Sequence, residues 1–179
     1  MEPPPPEQVT LRDGTVLEIR PVRPEDKPHF VAGFARLSRE SRYYRFLGNK
    51  NTLTEADLRY LTEVDGTDHV ALVAVHHLDD GREEGAGVAR FVRLKDDPRA
   101  AEVAITVPDP WQRRGIGTLL FHRLVAAARA RGIRQLRSEI HERNTAIRHL
   151  LETVAPAHTV ARSGDCITLE LFLGGDDDA

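Results

Sequence analysis

Val107-Pro108-Asp109-Pro110-Trp111-Gln112-Arg113-Arg114-Gly115-Ile116-Gly117-Thr118 is the stretch on which the fold turns. Before it, residues 100–107 alternate with the period of a strand, placing Val103, Ile105 and Val107 on one face and Glu102, Ala104 and Thr106 on the other. After Gly115 the period becomes helical, with Ile116, Leu119, Leu120, Leu124 and Ala128 on one face and a stop near Gly132. Two prolines therefore break a strand, and a Gly-x-Gly opens an amphipathic helix. The first N–H groups of that helix lack internal partners and carry the positive end of its dipole, so the turn is suited to a phosphate or pyrophosphate. Gly115 and Gly117 let an anion approach, Arg113 and Arg114 can add charge, and Thr118 can add a hydroxyl. The spacing is neither the Gly-x-Gly-x-x-Gly of dinucleotide folds nor the Gly-Lys-Ser/Thr of the P-loop, which argues against NAD and ATP.

Working outward, Arg12-Asp13-Gly14-Thr15 lies between short apolar runs at 9–11 and 16–19 and predicts a hairpin. Arg23-Pro24-Glu25-Asp26 opens a helix carrying Phe30, Val31, Phe34 and Leu37, and Thr54 with Asp57 caps another through Leu58 and Leu61. Between them, 41–46 shows no assignable pattern. Strands are expected at 69–75, 85–94 and 100–107, separated by Asp-Gly and Asp-Pro turns. After the helix at Gly115 come a strand at 135–140, a helix at 144–154 and strands at 157–161 and 166–173. This order predicts one α+β domain over 9–173, a mixed sheet flanked by about four helices. An N-terminal arm over 1–8, with Pro3 to Pro6 in polyproline II, and an acidic tail over 174–179 are expected to be disordered.

A chain of 179 residues with 40% apolar and 30% charged residues suits one globular domain. Its net charge of -3 gives no general attraction to nucleic acid or anionic membranes. The arginines between Arg113 and Arg137 lack the interleaved aromatics of a single-strand binder. Cys166 is the only cysteine, which excludes an internal disulfide or a Cys-rich zinc site and fits a cytoplasmic setting. Met1-Glu2-Pro3 lacks the basic start of a signal peptide, and no run is long and apolar enough to span a bilayer. His76, His77, His141, His149 and His158 fall on different elements without metal-ligand spacing, so they are expected to be surface residues and no metal is expected. Trp111 is expected to plug the turn.

Gln112-Arg113-Arg114-Gly115-Ile116-Gly117 matches the pattern Gln/Arg-x-x-Gly-x-Gly/Ala, and here the chain resembles the GNAT superfamily of N-acetyltransferases. The order of elements over 17–173 is similar to that family's as well. The resemblance implies a GNAT-like, mostly antiparallel sheet whose fourth and fifth strands, here 100–107 and 135–140, splay apart. It implies that acetyl-CoA is the cosubstrate, its pyrophosphate held by main-chain amides of Arg113, Arg114, Gly115, Ile116, Gly117 and Thr118, with Gln112 at the first position. Its pantetheine arm would lie between the splayed strands against the main chain of Ile105 and Val107. Asn144 matches an asparagine that commonly contacts the cofactor, and helix capping is an equally good role for it.

In such an enzyme an amine attacks the thioester carbonyl, and the Val107 N–H can stabilise the oxyanion. Glu102 is the candidate general base, against the competing reading of a solvated or arginine-paired glutamate. Family members that protonate the leaving thiolate with a tyrosine carry it where this chain has Leu151, and the following Gly-Phe is absent around Ala155-Pro156. Tyr43 or Tyr44, or water, is left to serve. Residues 37–46 and 19–26 look like the catalytic domain of bacterial Pat-type protein lysine acetyltransferases, which favours a protein lysine as acceptor. A small amine, such as a polyamine or aminoglycoside, and a non-catalytic acyl-CoA-binding sensor are the alternatives. Monomer and homodimer are both compatible.

Overall fold

The structure is a computed structural model and describes residues 5–174. A hairpin of β1 (Glu7–Thr10) and β2 (Val16–Pro21) leads through a 3-10 turn to α1 (Lys27–Ala35), α2 (Arg39–Phe46) and α3 (Glu55–Thr62). β3 (His69–His77), β4 (Glu83–Arg93) and β5 (Ala100–Thr106) form a meander, followed by α4 (Ile116–Ala130), β6 (Gln135–His141), α5 (Thr145–Leu151), β7 (Ala157–Ser163) and β8 (Cys166–Phe172). The eight strands make one sheet in the order β1-β2-β3-β4-β5-β6-β8-β7, in which only β5 and β6 are parallel neighbours.

α4 covers one face of this sheet. Leu120, Phe121, Leu124 and Ala128 are fully buried in the cluster that includes Leu72, Ala89 and Phe91. Their helical spacing supplies the apolar stripe that the sequence showed, and a Leu124→Ala cavity would cost about 2–5 kcal/mol. Gly87 lets the helix come close, since a Cβ there would sit 3.1 Å from Ile116 Cγ2. On the other face, Phe30 and Val64 from the α1–α3 side pack on Val22, Ala71, Val73 and Val75.

The helices among the described residues number five rather than about four, and α2 is the addition. It has no buried residue, so no apolar stripe announced it. Its ends are nevertheless well specified: the Ser38 side chain accepts from Ser41 N, Glu40 and Arg45 suit the dipole, and Leu47 stops it in the left-handed region at φ 49. The first strand begins at Glu7, two residues inside the expected arm, where its carboxylate is gripped by the Arg123 guanidinium of α4 at 2.7 Å and 2.8 Å. Pro5 and Pro6 of the expected arm are exposed and outside any helix or strand, while 1–4 of it and 175–179 of the tail lie outside the described residues.

One feature of the sheet positions the site. β5 and β6 pair only at Ala100–Gln135, Ala101–Leu136 and Glu102–Arg137. Beyond that point β5 stays with β4 as far as Thr106 and β6 stays with β8 as far as His141, so the two strands part. Ser138 Oγ, donating to Val103 O at 3.2 Å, is the last tie across the gap.

Candidate active site

The parting strands expose main chain. Leu94 N donates to Ala100 O, which fixes the alternation along β5. The main-chain groups of Glu102, Ala104 and Thr106 face β4, and those of Val103 and Ile105 face the gap, as the Ser138 bond to Val103 O also requires. At the end of the strand, Val107 O accepts from Gln112 Nε2 at 3.0 Å, while Val107 N–H has no acceptor among the described residues.

The turn that follows is anchored by Trp111, which is 6% exposed and donates from Nε1 to Glu84 at 2.9 Å. Arg113 and Gly115 are both left-handed, at φ 61 and φ 84. Such positions bordering Arg114 turn successive N–H groups toward one side, the geometry of an anion nest. The first helical main-chain bond runs from Leu119 N to Gly115 O, so the preceding amides of Ile116, Gly117 and Thr118 have no partner within the helix. A Cβ at Gly115 would meet nothing within 4 Å; its glycine is required by the backbone angle and leaves an open approach. At Gly117 a Cβ would lie 2.5 Å from Leu150 Cδ1, so there the small residue also serves the packing of α5 on α4.

A cleft of about 980 Å³ runs from the gap to this turn. Glu102, Ile105, Val107, Gln112, Arg113, Gly115, Ile116, Gly117, Thr118 and Asn144 all line it. Arg114 does not: its guanidinium is turned to Asp13 (Nε to Oδ2, 3.0 Å) and Thr15 in the β1–β2 turn and lies 4.5 Å over the Trp111 ring. Its charge secures the turn instead of facing the cleft, and the same contact helps hold the Asp13 carboxyl down at about 2, after the stronger pull of Thr15. Arg113 is exposed and has no such contact among the described residues. Asn144 caps α5, its Oδ1 accepting from Ile147 N at 3.3 Å.

Glu102 stands at the point where the strands part, exposed and without an ion pair among the described residues. Across from it, α2 contributes Tyr44 and Arg45 to the cleft wall. Burial, and then the hydrogen bond to Glu40 at 3.1 Å, raise the Tyr44 phenol above its ordinary value. Leu151, by contrast, is fully buried. His141, expected at the surface, is 7% exposed and packs against Tyr43 and Tyr44 at centroid distances of 5.7 Å and 5.4 Å. α2 is itself fastened to the glycine turn: Asp109 accepts from Ser38 N at 2.8 Å and Ser41 Oγ at 3.3 Å, and Gln112 Nε2 also reaches Ser41 Oγ at 3.3 Å. Sequence reasoning assigned no structure to this helix and attached no role to Arg45. Among the described residues no three His, Cys, Asp or Glu side chains converge, and no helix is long and apolar enough to cross a membrane.

A strand pair parting beside a helix whose free amides face the same cleft is the arrangement of an acyl-CoA-dependent acetyltransferase, and the match of the acetyltransferase (GNAT) domain model to residues 17–154 shows that the chain belongs to that family. Acetyl-CoA is accordingly the acyl donor, and the free amides and open gap described above suit its pyrophosphate and its extended arm. The chain is 33% identical to an acetyltransferase of Pseudomonas aeruginosa over 141 residues, 79% of this chain and 75% of that one. It is 35% identical over 149 residues to the acetyltransferase Pat of Mycolicibacterium smegmatis, covering 80% of this chain but 42% of that protein. Among solved structures it is similar to the GNAT domain of PAT from S. lividans, with a TM-score of 0.82 at 28% identity over 94% of this chain and 97% of that one. The chain therefore spans less than half of the Mycolicibacterium relative and nearly all of the S. lividans domain.

Proposed function

We propose that the protein transfers the acetyl group of acetyl-CoA to a lysine side chain of an acceptor protein, with Glu102 as general base. The observation that carries this reading is the position of Glu102: unpaired, at the mouth of the gap, on the strand that also offers the free Val107 N–H. Acetyl-CoA supplies an activated acyl thioester, and the remaining work falls to side chains and main chain of the protein. Arg113 and the amides at the start of α4 would hold the pyrophosphate, and Ile105 and Val107 would hold the arm through their main chain. Asn144 has one amide face left for the donor once its oxygen caps α5. A lysine amine has an ordinary pKa of about 10.4, so at neutral pH Glu102 must take a proton from it, directly or through water. The Val107 N–H is the fixed donor for negative charge developing on the carbonyl oxygen. With Leu151 in the core, Tyr44 is the phenol on the cleft wall, protonated at neutral pH, and it would turn its O–H from Glu40 to donate to the leaving thiolate.

Two alternatives are less well supported. Polyamines and aminoglycosides are polycations, and although Glu40, Glu102 and Glu139 line the cleft, its acceptor side also carries Arg45 with Arg90 behind it, which disfavours a polycation there. A sensor would be favoured by a salt bridge occupying Glu102, and none is formed among the described residues. Likeness to Pat and to the PAT domain supports the protein-lysine acceptor, and the single cysteine supports a cytoplasmic setting. The test is thiol release from acetyl-CoA in the presence of lysine-bearing proteins, polyamines or aminoglycosides. Turnover on proteins that falls about 10²–10³-fold in Glu102→Gln is expected. Turnover confined to small polyamines, or donor binding without any turnover, would sink it.

A further inference from the structure

Behind the cleft, between α1, α2, α3 and β4, lies a second cavity of about 70 Å³. Phe30, Phe34, Leu53 and Val88 make it apolar, but two guanidinium groups line it: Arg90 from the middle of β4 and Arg45 from α2. Arg90 is 3% exposed, and its partners are all uncharged. Its nitrogens meet His69 Nε2 at 3.0 Å and Leu61 O at 3.0 Å, and its plane lies 5.8 Å from the Phe30 centroid. His69 is neutral at ordinary pH, since burial and then Arg90 push it down to about 4. Arg45 is half-buried, lies 5.0 Å over the Phe46 ring, and has no hydrogen-bonding partner among the described residues. Burial and then the neighbouring Arg45 bring Arg90 down to about 9. Two cations thus face one apolar cavity and neither forms an ion pair among the described residues, the carboxylate whose charge acts on Arg45 being Glu102 of the main cleft, although burying a charge without a direct partner is among the least favourable things a fold can do.

The cavity also has an address. Leu37, Arg45, Phe46 and Thr106 line both it and the main cleft, so a group entering it comes past the wall opposite Glu102. We propose that this cavity is a carboxylate site: it takes one carboxylate on a short aliphatic stem, seated between Arg45 and Arg90 with the Thr106 hydroxyl beside it. Guanidinium forks match carboxylates in shape and charge, and the space suits a few heavy atoms with an apolar stem. Two sources carry that chemistry. One is an acidic side chain close to the lysine of the acceptor, which would make the cavity a specificity pocket and rests on the protein-lysine reading. The other is a free short-chain carboxylate, which does not.

Binding is measured first, without acetyl-CoA. Acetate, propionate and butyrate are titrated against the whole protein, with chloride at equal ionic strength as control, following melting temperature and the Nε–Hε resonances of arginine. Saturable binding is expected, weakened at least about tenfold in Arg45→Gln and in Arg90→Gln. Arg45→Gln is the safer variant because Arg45 is not in the core. Kinetics then separate the sources: a lysine peptide with a glutamate nearby should show a kcat/KM at least about tenfold above its glutamine counterpart, an advantage that Arg45→Gln abolishes. If only the free acids bind in an arginine-dependent way, the site is for a free carboxylate. If neither the acids nor the glutamate peptide depends on Arg45 or Arg90, the proposal is wrong, whatever the acceptor proves to be.

Discussion

The two walls of the cleft are made of different material. The donor wall is main chain: the open edge of β5, the left-handed Arg113 and Gly115, and the first amides of α4. The acceptor wall is side chains, Tyr44 and Arg45 on a polar helix with Arg90 and His69 behind it. A main-chain site is fixed by backbone angles and by where side chains are missing, so it fails when a side chain is added. A side-chain site is fixed by partners from distant parts of the chain, so it fails when one is taken away.

Gly115→Val tests the donor wall most severely. A branched residue at φ 84 should cost about 1–2 kcal/mol of stability and intrude on the phosphate approach. The melting midpoint should drop, and the KM for acetyl-CoA should rise about tenfold or more, more than the acceptor KM does. The counterpart on the acceptor wall is Tyr44→Phe, which keeps the ring and removes only the proton. A kcat about tenfold lower with the acetyl-CoA KM unchanged is expected; an unchanged kcat would leave water as the proton donor.

His69 gives a pH test confined to the acceptor side. Its folded pKa, about 4, lies below its ordinary 6.5, so between those values the unfolded chain holds more of the proton. The stability this provides is complete above about pH 6.5 and is lost as pH falls toward 4. His69→Gln, which can still accept from Arg90, should flatten that part of the stability profile in urea titrations. Arg113→Gly should have the smallest effect. Relief of its φ 61 offsets the entropy of the glycine, leaving stability within about 0.5 kcal/mol, while affinity for CoA falls a few-fold and loses some salt dependence.

The same division decided what the sequence could reveal. The strand-to-helix seam at 107–118 is local: its prolines, its glycines and its change of period stand next to one another. The hairpin at Asp13-Gly14 was legible for the same reason, with Gly14 at φ 87. α2 was not, because a helix without buried residues has no apolar period to display. Nor could the diversion of Arg114 be foreseen, since Asp13 is 101 positions away and only the folded sheet brings them together. Arg45 and Arg90 come from different elements and share a cavity, with His69 behind Arg90, that no spacing announces.

The clasp from Asp109 and Gln112 to Ser38 and Ser41 has a consequence for changing what the protein modifies. The helix that meets the acceptor has no core of its own and takes its seat from the loop that meets the donor. A cleft-side residue outside the chemistry, such as Arg45, is therefore free to vary with the target, whereas its two serines are part of the loop's own foundation. A helix grafted here from a relative with another acceptor would need to keep serine at positions 38 and 41, or bring its own partner for Asp109, before its new face could be put to use.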